Sequence, residues 1–457
     1  MTERRTAVVA GGGLAGITAA CALADAGWRV TLIEKRPFLG GRSYSYTDKA
    51  TGTEVDNGQH VFLGCCTAYI SLLERLAIRD RAHLQKRLRV PVIDKVWGTS
   101  VLTAADLPPP LHLLPSLLRF KSLSPGEKVA AGWAFSAIQA LDRTRHPELD
   151  DITFKDWLLS KRQSRHSIDN FWNLIVQPTL NDHVSRVSAD LALMVFQEGF
   201  LRSRSGANVG WSRVGLTSLV GEAATRYITD RGGEVRLSES IRGVEVDAGT
   251  VSGLWTESGE EKADSYVVAL SPEQTFEALP GVLTGDPFFS RIARLESSPI
   301  VNVHLWFDRP VWDRKFAAFL NTPVQWVFNK SAIWRREEPG QYLNIVLSGA
   351  RDFIGLPNAE IVALFTKEMW SLLPATRGAA ITRALVVKQR DATFAAGPGT
   401  RRLRPPQATP VRNLSLAGDW TETGWPATME SAVRSGVMAA QVASRPAEGS
   451  ERQVVAV

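Results

Sequence analysis

Three glycines near the N-terminus have the spacing of a phosphate cradle, Gly11-x-Gly13-x-x-Gly16. The first makes a tight turn, the second lets backbone approach a pyrophosphate, and the third lets a helix pack closely on a strand. A helix entered through Leu14 and Ala15 points its N-terminus at that negative charge. Glu34 lies 21 residues after Gly13, where a carboxylate can accept hydrogen bonds from ribose hydroxyls. A glycine motif alone could be a mere turn; with strand, helix and acid it reads as a dinucleotide site. No second Gly-x-Gly-x-x-Gly appears, and no Cys/His spacing suggests a metal.

These residues need a particular scaffold. Residues 6–10 (TAVVA) form a β-branched strand, a helical pattern runs to Gly27, and residues 28–34 (WRVTLIE) form a second strand ending in the acid. That is a βαβ unit, the builder of parallel sheets. Residues 125–200 look largely helical, with Trp133, Phe135, Ile138 and Leu141 at helical spacing. Strand signals return at 231–271, 299–307, 342–347 and 413–417, with a closing helix from about Ala427. The fold class expected is α/β: a Rossmann-like domain with a discontinuous second α+β domain for substrate. The first takes residues 1–75, 205–275 and 410–445, the second 76–204 and 276–409, and 446–457 form a flexible tail. Residues 107–120 (LPPPLHLLPSLLRF) are too short to span a bilayer and too proline-rich for a clean helix. With Arg119 and Lys121 they read as a lid that could face a membrane over 107–121.

Composition narrows the classes. In 457 residues, 44% are hydrophobic and 22% charged, an ordinary globular balance. Only Cys21, Cys65 and Cys66 are available for disulfides, which points to a reducing compartment. No apolar run is long enough to cross a membrane and no secretory signal is seen, so a cytoplasmic protein, peripheral on the inner face of the cell membrane, is expected. The net charge of +6 comes from scattered cations without a stripe of interleaved aromatics. That speaks against nucleic acid.

The residues after Glu34 separate flavin from nicotinamide. Glu34-Lys35-Arg36-Pro37-Phe38-Leu39-Gly40-Gly41-Arg42 resembles the extension seen in the FAD-dependent amine oxidase and carotenoid desaturase superfamily. Asp56-Asn57-Gly58-Gln59-His60 is similar to its turn beside the isoalloxazine, and Gly418-Asp419 with Ala427-Thr428-Met429 to its closing motif. The resemblance implies FAD, with contacts from Lys35, Arg36, Gly40, Gly41, Arg42, Gly58, Gln59, His60, Ile241, Gly418, Asp419, Ala427, Thr428 and Met429 beside the first motif. With no Cys in residues 394–399, the FAD is expected to be non-covalent. Asn302 and Thr428 stand where amine oxidases carry a lysine near flavin N5 and an aromatic cage residue.

Within the superfamily the chain resembles the hydroxysqualene dehydroxylases of hopanoid synthesis, through residues 56–65, 298–311, 325–330, 402–420 and 423–436. This implies reduction of hydroxysqualene to squalene by loss of water and hydride transfer from reduced FAD. It also implies an apolar isoprenoid substrate, squalene-forming enzymes as partners and a separate reductase as electron donor. A phytoene-type carotenoid desaturase and a non-catalytic FAD-folded partner of squalene-forming enzymes are the alternatives. For protonating the leaving hydroxyl the candidates are His60, which reads more readily as a packed, hydrogen-bonded histidine, and Asp182 with His183, which read at least as readily as a surface helix cap. Asn302, on the flavin side, completes the candidate catalytic set.

Overall fold

The computed structural model describes residues 4–49, 52–335 and 339–445; the tail expected at 446–457 lies outside them. Thr6–Ala10, apolar and β-branched, is the middle strand of a five-stranded parallel sheet. Its neighbours are Arg29–Glu34 and Ser265–Val268, with Glu234–Leu237 and Leu414–Leu416 at the edges. Beginning, middle and end of the chain therefore meet in one sheet. Helices Leu14–Asp25 and Met429–Ala443 pack across it so closely that a Cβ at Gly436 would lie 2.3 Å from the Ala15 carbonyl oxygen.

A seven-stranded mixed sheet forms the second unit. Its order is Ile381–Phe394, Ser297–Phe307, Gln341–Ser348, Trp326–Asn329, Phe316–Leu320, Arg89–Asp94 and Gly98–Thr103. Strand alternation gives the sheet two chemically different faces. Val301, Val303, Leu305, Leu343, Ile345 and Leu347 pack with Ile361, Phe365 and Met369 of helix Asn358–Leu372. Asn302, His304, Trp306, Tyr342 and Asn344 occupy the other face, whose partners come from the cofactor loops.

Residues 125–201 are mostly helical, around a cluster of Phe135, Phe154, Phe171, Trp172 and Phe196. Helix Pro125–Ala140 opens with a full capping box between Ser124 and Glu127. Trp133 does not join this core as its spacing suggested: it is 73% exposed. Residues 107–121 correct the sequence reading too, forming a short turn Leu111–Leu113 and a clean helix Leu114–Arg119, with Pro115 accommodated in the first turn. Among the described residues no helix is long and apolar enough to cross a membrane.

Candidate functional site

At the end of the first strand, Gly11 adopts φ +107°, and a Cβ on Gly16 would fall 1.8 Å from the Gly11 oxygen. Both positions need glycine. Gly13 differs: the nearest protein atom to its would-be Cβ is Gly41 Cα, 3.9 Å away. Helix Leu14–Asp25 starts there with no side-chain cap and no acid in its first turn, although Leu14 and Ala15 are buried. A buried helix start whose N–H groups lack a cap suits a bound anion. Glu34 accepts from the Gly12 N–H at 2.7 Å and the Arg36 N–H at 2.9 Å. Two accepted bonds leave a carboxylate with lone pairs for ribose hydroxyls.

The Gly40-Gly41 pair lies directly on this loop. The Gly40 N–H donates to the Gly12 oxygen at 2.9 Å, and both glycines have positive φ. Arg36 donates to the Gly41 oxygen at 2.7 Å and stacks over Tyr44. Lys35 is exposed. Next to Glu34 runs the segment before Ile241: the Glu239 N–H donates to the Glu34 oxygen, and the Ser238 N–H to that of Arg36. Arg42 then joins the two ends of the chain by pairing with buried Asp419. The Gly418 N–H donates to Ser435 Oγ at 2.8 Å, and Ser431 Oγ donates to the Asp419 oxygen at 2.9 Å. Thr428 caps helix Met429–Ala443 by accepting from the Ser431 N–H, which leaves Ala427 and Met429 at the same helix start.

From Arg42 the bonding continues to the second unit. Asn57 donates to the Arg42 oxygen at 2.8 Å, and Asn302 donates to the Asn57 oxygen at 3.3 Å. A Cβ at Gly58 would approach Asn302 Nδ2 to 2.7 Å, so any side chain there would push the Asn302 amide out of place. Asn302 in turn accepts from Asn344 at 3.4 Å. His60 Nδ1 is 3.2 Å from the Gly58 oxygen. Burial pushes its pKa below the ordinary histidine value, against the opposing pull of that bond and of Asp56, so the ring is neutral at pH 7.

Two groups behind this turn were not picked out from the sequence. Lys330, 1% exposed, donates to Asp56 at 2.7 Å and to Gln59 at 2.9 Å, and lies 4.0 Å from the Trp334 ring centre. Ser45 Oγ and the Leu216 N–H complete the Asp56 shell. Arg404, 3% exposed, donates to the carbonyls of Asp419, Trp420 and Thr421 and so fixes the loop that carries Asp419. The signal for Lys330 was a lone cation inside an apolar stretch, at QWVFNKSAIW, whereas Arg404 stands beside Arg401 and Arg402 and reads as part of a solvated basic run.

Asp182 is held elsewhere. It is buried and accepts two bonds from Arg351, at 2.7 and 3.2 Å, one from the His183 N–H at 2.9 Å, and a longer one from Ser298 Oγ. It is neither an uncommitted acid nor a surface cap, because the left-handed Asn181 turns it inward onto Arg351. His183 faces outward, bonded to Ser185. The structure thus brings His60 and Asn302 to one turn and leaves Asp182 in a separate ion pair.

A family model described as flavin containing amine oxidoreductase matches residues 14–444. The chain belongs to that family. Its cofactor is FAD, and the uncapped helix at Leu14, the open side of Gly13 and the spare acceptors of Glu34 fit the adenosine diphosphate part of that molecule. The 15-cis-phytoene desaturase of Synechococcus elongatus is 27% identical over 452 residues, covering 95% of this chain and 94% of the relative. The zeta-carotene desaturase of Zea mays is 29% identical over 480 residues, covering 94% and 81%. Among solved structures, an oxidoreductase from Methanosarcina mazei superposes with a TM-score of 0.73 at 18% identity, covering 95% of this chain and 99% of the other. Wild-type putrescine oxidase bound to putrescine gives 0.70 at 18%, covering 96% and 98%. This chain is a flavin-dependent oxidoreductase with that fold, but with an amide at Asn302 and a hydroxyl at Thr428 beside the flavin turn and the closing helix.

Proposed function

We propose that this flavoenzyme acts on a long apolar isoprenoid, reducing hydroxysqualene to squalene. The observation that carries the reading is the resemblance of five stretches, from 56–65 to 423–436, which includes substrate-unit strands as well as cofactor loops. An apolar cavity of about 380 Å³ supports the substrate class; Leu88, Leu102, Leu113, Leu117, Phe135 and Phe171 are among its walls. Ile175 is among its lining, and two residues on Gln177 donates to the Ser348 oxygen, on the strand paired with that of Asn302. The cavity mouth carries exposed Leu111, Leu114, Val129 and Trp133, with Leu118 beside it, a face suited to lifting an apolar substrate from a membrane at the cytoplasmic surface.

Bound FAD would supply hydride chemistry; the chain's own residues do the rest. Leu and Phe walls exclude water from a cation whose allylic skeleton carries the charge. Asn302, bonded to Asn57 and Asn344, offers an amide where amine oxidases carry a lysine near the flavin. His60 is the candidate donor to the departing oxygen, a role that requires the imidazolium, because the neutral ring, with Nδ1 facing the Gly58 oxygen, has no proton to give up. Electrons come from a separate reductase, and squalene-forming enzymes are the expected neighbours.

The curated relatives favour a second reading, dehydrogenation of a carotenoid precursor. Product analysis separates the two. Reduced holoenzyme given hydroxysqualene should yield squalene, while oxidised holoenzyme given phytoene should leave it unchanged. Coloured polyenes from phytoene, with no squalene in the first arm, would reverse the assignment.

A further inference from the structure

Beside the apolar cavity lies a second, polar one of about 340 Å³, lined by Lys86, Arg87, Ala104, Ala105, Asp106, Arg204 and Ser205. The two share three stretches of chain. Leu88, Leu102, Thr103 and Leu201 line the apolar side, and their neighbours 86–87, 104–106 and 204–205 line the polar side. Three cations stand against one acid, and that acid, Asp106, is paired with Arg204. At the seam sits His112, wholly buried, with neither ring nitrogen bonded to protein. Its carbonyl accepts from the Ala105 N–H at 2.7 Å, and Leu111 and Leu113 on either side of it line the apolar cavity. Burial, and then the charge of Arg204, keep this imidazole neutral.

An apolar opening joined to a cationic pocket matches an amphiphile with a phosphate head. The geometry points to an anionic phospholipid headgroup seated among Lys86, Arg87 and Arg204 when the Leu111–Trp133 face meets a membrane. This rests on the proposal that the enzyme takes an apolar substrate from a membrane through that face. A membrane suits it better than a single soluble amphiphile, because Leu111, Leu114, Val129 and Trp133 at the mouth stay exposed and Leu118, outside the lining, extends the same apolar face. Lys128 donates to the Leu118 oxygen at 2.9 Å, tying the two exposed helices into one surface. The headgroup site makes docking selective for negative charge at one place, beyond the diffuse pull of a +6 chain.

The test is co-sedimentation of holoenzyme with vesicles of pure phosphatidylcholine and with vesicles containing phosphatidylglycerol. An Arg87→Gln/Arg204→Gln variant should lose about fivefold in affinity per cation, about 25-fold in all, for the anionic vesicles only. An Arg377→Gln/Arg390→Gln control removes the same charge near Ile381–Phe394, the sheet edge opposite Gly98–Thr103. It should lose less than about threefold. Equal losses in both variants, or none in the first, would overturn the headgroup site. Sub-millimolar binding of inorganic phosphate by wild type, without preference for anionic vesicles, would overturn it in favour of a soluble phosphate. Wild-type binding to neutral vesicles with no anionic preference would defeat the headgroup site alone, whereas no binding to either vesicle would defeat the membrane reading beneath it.

Discussion

Lys330→Met tests the polar cluster that holds the flavin turn. Lys330 and Asp56 have side chains 1% and 2% exposed and lie 2.7 Å apart. Removing the cation leaves a buried carboxylate short of its charged partner, a change that costs roughly 3–5 kcal/mol. Asp56 keeps the Ser45 and Leu216 donors, so the lower end of that range is expected. At about 2.1 cal/mol/K of unfolding entropy per residue, a chain of 457 residues loses ~1 kcal/mol per degree. The melting temperature should therefore fall by roughly 3 °C. Because Lys330 also holds Gln59, FAD affinity should fall with it. An Asp56→Asn/Lys330→Met double variant should recover most of the stability, since replacing both members of a buried pair is close to neutral. Calorimetry of wild type, the two single variants Lys330→Met and Asp56→Asn, and the double variant gives the coupling energy directly. A single variant within 1 °C of wild type, or a double variant worse than the single, would refute the reasoning.

The same geometry has other consequences. Gly13→Val should leave the apoprotein folded and abolish FAD binding, because only Gly41 Cα comes near the new Cβ, whereas Gly16→Ala should fail to fold, with its Cβ 1.8 Å from a carbonyl oxygen; thermal melts with flavin fluorescence distinguish them. His304, wholly buried against Tyr342, has its pKa pushed down to about 3, first by burial and then by Lys330. The unfolded chain binds a proton that the folded one does not, so stability present above pH 6.5 is lost as pH falls toward 3. At pH 5 this amounts to about 2 kcal/mol, and His304→Asn should flatten that limb in pH-dependent denaturation. Asp182→Asn should lower the melting temperature by a few degrees through the Arg351 pair and leave kcat within about twofold, because charge-assisted bonds of this kind contribute ~1.5–3 kcal/mol to stability; a hundredfold loss of kcat at unchanged stability would restore it to the chemistry.

The cofactor half was legible because its signals are local. Gly11, Gly13, Gly16 and Glu34 fall within one βαβ unit, and each needs its residue type for a reason visible over a few positions. Asp56 and Lys330 are 274 residues apart, and Asp182 and Arg351 are 169 apart. Which acid meets which cation is decided by sheet register, not by spacing. Trp133 misled because an aromatic at helical spacing reads as core; its helix instead turns it outward beside Val129 at the cavity mouth. Arg89–Asp94 carries Pro91, which argues against an inner strand. It is inner all the same, because its parallel pairing with Phe316–Leu320 begins only at Val92.

The central claim is the direction of hydride transfer to an isoprenoid carbon, and an isotope count in the product tests it most directly. The hydride position of a reduced flavin exchanges with solvent, so hydroxysqualene turned over by reduced holoenzyme in D2O should give squalene with one deuterium, at the former carbinol carbon or its allylic terminus. Squalene without deuterium would contradict hydride delivery even if the substrate were right.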